Sequence, residues 1–121
     1  SKKRTLAMPA NQPYKSQLSL LLLDGDIDAF NAAREKIAEY SLADLDLSGI
    51  DLRKMNARGL DMRNCHLRHA VLRGVAFSET DLGGASISCA KISGTLFPRD
   101  LSAEEINLSL VHGTRMRAGK G

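Results

Sequence analysis

Between residues 40 and 99 the apolar positions recur with a period of five. Written in blocks of five from Tyr40, the first and third positions are apolar at 22 of 24 places, and the other three at 5 of 36. The first position runs from Tyr40 and Leu45 through Cys65 and Thr80 to Thr95. The third runs from Leu42 and Leu47 through Leu67 to Phe97. A period of five fits neither a helix at 3.6 nor a plain strand at 2. It describes a chain that points two side chains inward and three outward, then turns a corner. Repeated corners make a solenoid whose coils stack at the strand spacing of about 4.8 Å. Gly49, Gly59, Gly74, Gly84 and Gly94 all occupy the fifth position, where a corner most needs permissive dihedrals. No coil buries its own inner positions, so ladders of stacked neighbours must supply the stability.

The flanks change period. From Tyr14 to Leu23, Leu18, Leu21 and Leu22 fall at helical spacing, and Asp24-Gly25 breaks the run. Asp26 is placed to N-cap a second helix reaching about Ala38, with Ile27, Phe30 and Ile37 on its inner side. After the blocks, Ser102 and Glu105 stand at capping-box spacing, with Leu101 and Ile106 at staple positions. A helix from Ala103 to His112 follows, stopped by Gly113. Open solenoid ends expose strand edges and core, so both helical flanks are expected to be caps. The organisation predicted is a basic flexible tail over 1–13, a helical cap over 14–39, repeats over 40–99, a capping helix over 100–113 and a basic tail over 114–121.

The blocks Leu45-Asp46-Leu47-Ser48-Gly49, Ile50-Asp51-Leu52-Arg53-Lys54, Leu60-Asp61-Met62-Arg63-Asn64 and Thr80-Asp81-Leu82-Gly83-Gly84 resemble the pentapeptide-repeat family, whose blocks read roughly A(D/N)LXX. The resemblance covers about half the chain. It implies an all-β solenoid, a right-handed quadrilateral β-helix with four blocks per coil and about three coils, to which the flanks read above add short capping helices at both ends. Two departures stand out. Leu45, Ile50, Met55 and Leu60 are large where the family is small, and the acidic or amide position becomes His66, Val71, Ala76, Ser86, Lys91 and Leu96.

Composition narrows the function. The chain has 121 residues, a net charge of +3 and 4% aromatics with no Trp, which leaves little for stacking on bases. The basicity sits at the ends. Setting aside Lys2, Lys3, Arg4, Arg115, Arg117 and Lys120 leaves 11 basic and 14 acidic residues. The longest apolar run, Leu20 to Leu23, is far short of the roughly 18 residues that span a bilayer. Two cysteines, Cys65 and Cys89, make no disulfide scaffold, and the expectation is a cytoplasmic protein with free thiols.

Candidate chemistry is sparse. Cys65, His66 and His69 look like a metal cluster in one dimension, but the register turns Cys65 inward and both histidines outward. No phosphate loop or nucleophile motif is present. The expectation is therefore no enzyme, no cofactor and no metal. Arg53, Arg58, Arg63, Arg68 and Arg73 fill the fourth position of five successive blocks. With four blocks per coil they form a belt, and only Arg53 and Arg73 share a face, joined by Lys54 and Lys91. His66, Arg68 and His69 mark the adjacent face. These seven residues are the expected partner-binding set, suited to acidic protein surfaces because Arg pairs carboxylates bidentately. Ile106, Leu108, Leu110 and Val111 exceed what a thin cap must bury, and are candidate cap or homodimer contacts. The function expected is a non-catalytic protein-binding or scaffold module. The alternatives are a DNA-mimic-like protein directed at DNA gyrase, as the resemblance suggests, and weak nucleic-acid binding through the Arg belt and tails.

Overall fold

The computed structural model describes residues 14–119. The segment 1–13, expected as a basic tail, lies outside the described residues. The described chain opens with helix α1 (Tyr14–Leu23) and helix α2 (Ile27–Ala33), which continues as a 3-10 turn over Arg34–Lys36. Asp26 caps α2 by accepting from the Ala29 N–H at 3.2 Å. The second helix is shorter than the pattern predicts, because the chain tightens where Arg34 turns inward. Its guanidinium donates to the carbonyls of Asn56, Ile37 and Ala38 at 3.0–3.2 Å. Leu18, Leu22 and Phe30 are fully buried and close the lower end of the core.

The repeats form a β-helix-like stack. Strands β1 (Tyr40–Ser41) and β2 (Leu60–Asp61) pair in parallel. Single parallel bridges continue the ladders, among them Asp46 to His66, Asp51 to Val71, His66 to Ser86, Val71 to Lys91 and Ala76 to Leu96. Every bridge joins residues 20 apart, which is four blocks of five. The all-β expectation needs one correction: regular strand is confined to those two-residue pairs, because each side holds only a few residues before the next corner, and helices close the ends. Leu47, Leu52, Leu67, Leu72, Phe77 and Leu82 stack inside with at most 1% of their surface exposed.

Two backbone devices build the corners. In ten of the eleven fifth positions from 44 to 94 the residue has φ between 59° and 80°, and only Glu79 does not. Five of these are not glycine: Asp44, Lys54, Asn64, His69 and Cys89. In the second position, an Asp or Asn carboxamide or carboxylate oxygen accepts the N–H two residues on. Asp46 takes Ser48, Asp51 takes Arg53, Asn56 takes Arg58, Asp61 takes Arg63 and Asp81 takes Gly83, at 3.0–3.2 Å. This is an Asx turn, and it explains why a short acceptor side chain suits that place.

The inner column contains polar exceptions with a job of their own. Thr80 donates its hydroxyl to the Ala57 carbonyl at 2.6 Å, Thr95 to the Leu72 carbonyl at 2.6 Å, and the Cys65 thiol reaches the Leu42 carbonyl at 3.0 Å. Each contact spans 23 residues, so each ties one coil to the coil below.

Helix α3 (Ala103–His112) lies over the last coil, N-capped by Ser102, whose hydroxyl accepts from Glu105 N–H, and C-capped by Gly113 at φ 75°. The expected capping box is only half made: the Glu105 carboxylate turns instead to Arg117. Residues 114–119 are not a tail. Met116 is fully buried, donates its N–H to Ala85 O at 2.9 Å and accepts from Gly84 N–H at 2.6 Å, and Gly119 N–H donates to Asp100 O.

Candidate docking surface

The outward positions settle which of the sequence-nominated cations are free. Arg53 forms a bidentate pair with Asp51, at 2.9 and 2.6 Å, within its own block. Arg63 does the same with Asp61, at 2.9 and 3.0 Å. Arg58 reaches up one coil to Glu79 at 3.1 Å, and Arg117 holds Glu105 at 2.8 Å. The Asp-x-Arg spacing carries the cause: the Asx turn folds the block so that the second and fourth side chains lie side by side. The Arg63 guanidinium holds the Asp61 carboxyl down to about 2, and Arg53 keeps Asp51 below the usual carboxylate range. Much of the belt therefore satisfies its own acids, and these exposed pairs are screened by solvent. Arg68 and Arg73 make no ion pair among the described residues, although the Arg73 charge also helps keep Asp51 ionised.

The seven nominated residues do not form one patch. Arg53 and Lys54 lie low, lining a shallow cleft with Gly25, Ile27 and Asp51 beside the α1–α2 turn. Arg73 lies one coil up. Lys91 sits at the top of its face, above Val71, in the column that starts with Asp51. His69 occupies a left-handed corner with its N–H bound to Ser88 O at 2.8 Å. It does not line the groove that its neighbours build.

That groove is a concavity on the side of the coils. Asp46, His66 and Ser86 stack in one column, Ser48, Arg68 and Ser88 in the next, and His112 and Gly113 close the top. The cleft is open and measures about 460 Å³. Hydrogen bonds from Ser48 hold Asp46 below the ordinary carboxylate range, helped by the nearby His66. Asp46 thus bonds within its own corner, and Arg68 shares the groove with it without forming an ion pair. The three serines and two imidazoles around it offer donors and acceptors without bulk. His112 was legible only as the last residue of a helix; its place beside His66 depends on how α3 lies across the coil.

The other chemical candidates have structural roles or none. Cys65 is buried, and desolvation pushes its thiol up to about 11, away from nucleophilic use at neutral pH. Cys89 is exposed at a corner. Among the described residues no group of three or more His, Cys, Asp or Glu side chains could hold a metal ion, and no helix is long and apolar enough to cross a membrane. Of the α3 residues, Ile106 and Leu110 pack partly buried against the core, Leu108 is partly buried, and Val111 stands 60% exposed. Sequence reasoning missed Ser109, fully buried on the inner face of α3, whose hydroxyl accepts the Ile87 N–H at 2.9 Å. It also missed Asn31, whose side-chain amide donates to Lys54 O and accepts from Asn56 N–H, standing in for a further coil at the lower edge.

No curated protein and no solved structure matches the chain. The family pattern described as pentapeptide repeats matches in eight copies, over residues 41–84 and 61–97, the segment where the five-residue register, the left-handed corners and the parallel ladders coincide. The chain belongs to the pentapeptide-repeat family, a family of generally non-catalytic repeat proteins.

Proposed function

We propose that this protein is a non-catalytic docking module, and that the Asp46–His66–Ser86 side of its stack receives an acidic surface of a partner protein. The stack is read as the right-handed, four-sided form, supported by bridges that always span 20 residues. One observation carries the docking reading: Arg68 lines an open groove and makes no ion pair among the described residues, while Arg53, Arg58, Arg63 and Arg117 are each paired. A rigid ladder presenting a free guanidinium beside small hydroxyls suits a carboxylate on a flat partner. The exposed Val111 beside this region extends the apolar part of the contact, and is also where a second copy of the chain would meet α3.

The test compares Arg68→Glu with Arg53→Glu, each checked for an intact fold by circular dichroism, as bait for partners from the native host. Loss of a saturable protein partner with Arg68→Glu and its retention with Arg53→Glu is the expected result. Equal retention by both variants removes the groove from the argument. Salt-dependent shifts of DNA or RNA by the wild type would favour nucleic acid instead.

A further inference from the structure

The upper edge of the last coil is closed on only part of its circuit. The coil below shows what a closed edge looks like. Leu72, Gly74 and Phe77 donate their N–H groups upward to Lys91, Ser93 and Leu96 carbonyls at 2.7–3.0 Å, while Ala70 and Val75 carbonyls accept from Lys91 and Leu96 N–H groups at 2.9–3.0 Å. One register higher, the chain closes part of the edge with its own C-terminal segment. Gly84 N–H goes to Met116 O, Ile87 N–H to Ser109 Oγ, Cys89 N–H to Leu110 O, and Ala85 O takes Met116 N–H. The rest is left open. Among the described residues, no partner meets the N–H groups of Ile92, Gly94 and Phe97 or, from an N–H donor, the carbonyls of Ala90 and Thr95. These are the same donors and acceptors, in the same order, that are filled at 72, 74, 77, 70 and 75.

The side chains along this edge are uncovered to match. Leu72, Val75 and Phe77 are at most 2% exposed, whereas their counterparts Ile92, Thr95 and Phe97 are only partly buried, and Leu96 is 58% exposed. The outward charges here have one sign: Lys91 and Arg99 are exposed, and from Lys91 to Arg99 there is no carboxylate.

We propose that the open edge from Ala90 to Phe97 binds an acidic peptide segment of a partner protein by strand addition, the segment turning with the edge at the Gly94 corner. The backbone of such a segment completes the ladder at Ile92, Gly94 and Phe97. Its apolar side chains, spaced two and three residues apart like the inner positions of the coil, cover Ile92, Thr95 and Phe97, and its carboxylates face Lys91 and Arg99. The adjoining stretch closed by Met116 shows that returning polypeptide fits on this same coil edge. The surface is distinct from the Arg68 groove and stands whether or not that groove docks a partner.

The probe is the nine-residue peptide Val-Glu-Val-Glu-Gly-Val-Glu-Val-Glu, which repeats the two-and-three spacing of positions 90, 92, 95 and 97, with its lysine-for-glutamate counterpart, titrated into the full chain and followed by amide hydrogen exchange resolved by residue. The expected result is that the Ile92, Gly94 and Phe97 amides slow at least tenfold with the glutamate peptide. The lysine peptide gives at least tenfold weaker binding, Lys91→Glu weakens the glutamate peptide severalfold, and Arg68→Glu leaves its binding unchanged. Ile92→Pro, which removes one edge donor that no described group of the chain uses, abolishes the protection in a protein whose circular dichroism is unaltered. No protection at millimolar peptide overturns the proposal, as does protection centred on His66 and Arg68. Protection without peptide that grows with protein concentration also overturns it, because a second copy is then the occupant.

Discussion

Gly59 is the corner where a single methyl group does most damage. Its φ of 73° lies in the left-handed region, as does that of Gly74 at 74°. Alanine at either place carries the left-handed penalty of about 1–2 kcal/mol. The surroundings separate them. At Gly74 a Cβ would meet nothing within 4 Å, whereas at Gly59 it would lie 2.5 Å from the Ala38 carbonyl oxygen. That oxygen must retreat by roughly 0.9 Å to reach ordinary contact in a close-packed interior. It is not free to do so, because it accepts from Arg34 Nη2 at 3.1 Å. Arg34 is 4% exposed and its Nε already lacks a partner among the described residues. Losing the Ala38 contact adds about 1–3 kcal/mol for a less satisfied buried donor. Gly59→Ala is therefore expected to lose about 2–5 kcal/mol in all, against about 1–2 kcal/mol for Gly74→Ala. Urea unfolding followed by circular dichroism measures both. A Gly59→Ala protein no less stable than Gly74→Ala would refute the claim that the Ala38–Arg34 contact locks the lower cap onto the first coil.

Other consequences are open to the same kind of measurement. Thr80→Val keeps shape but removes the 2.6 Å donor to the Ala57 carbonyl, which retains the Leu60 N–H, and should cost about 0.5–1.5 kcal/mol, while Thr80→Ser should cost less than Thr80→Val in the same urea titration. His69→Gly relieves a non-glycine residue at φ 61° and should raise the urea midpoint, by up to about 1 kcal/mol in stability, the opposite sign to Gly74→Ala. Asp61 is held down to about 2 from 3.8, first by its hydrogen bond from Arg63. A depressed carboxyl stabilises above its unfolded value, and that contribution disappears as pH falls from about 4 towards 2. Asp61→Asn should flatten acid unfolding in that window. Cys65 runs the other way: burial raises its thiol to about 11, so its neutral form favours folding and stability is lost as pH climbs from about 9 to 11. Native alkylation at pH 8 should label Cys89 and spare Cys65, as mass spectrometry would show, and equal labelling of both would contradict the buried position.

The core was legible because burial is what the five-residue register records. Leu42, Leu47, Leu52 and Leu67 fall in one column because each fills the same place in a coil, and any sequence that does so must repeat. The helical caps were legible for a similar reason: Asp26 and Ser102 are short acceptors standing where free helix N–H groups begin. The corners were only half legible. Glycine announces a left-handed dihedral, but Lys54, His69 and Cys89 adopt one because the ladders above and below impose it, and nothing in their side chains says so. The Arg belt was half legible in the same way. The period places the arginines correctly, but whether each is free depends on a neighbour at a different position of the block, as with Asp51, or one coil away, as with Glu79.

The least legible part was the C-terminal segment, and it decides what the top of the molecule can do. Residues 114–121 read as a basic tail, within which only Thr114 to Arg117 stood close enough behind the cap to pack. In the fold, Met116 is buried, Arg117 cancels Glu105, and the backbone closes the coil edge around Gly84 and Ala85. The basicity of the chain's end is thus partly spent inside it. The same cap that covers positions 84–89 stops short of 92–97, because α3 and its return segment supply only a few edge partners: Ser109 Oγ, Leu110 O and the Met116 peptide. At the lower end, Asn31 and Arg34 likewise close the edge only around Lys54 and Asn56. A short solenoid closed by helices caps its core more completely than its hydrogen-bond ladders, since apolar side chains cover a core from any direction whereas a ladder accepts only groups in register. What the repeat leaves exposed at its ends is consequently backbone, which only a chain in register with its corners can complete.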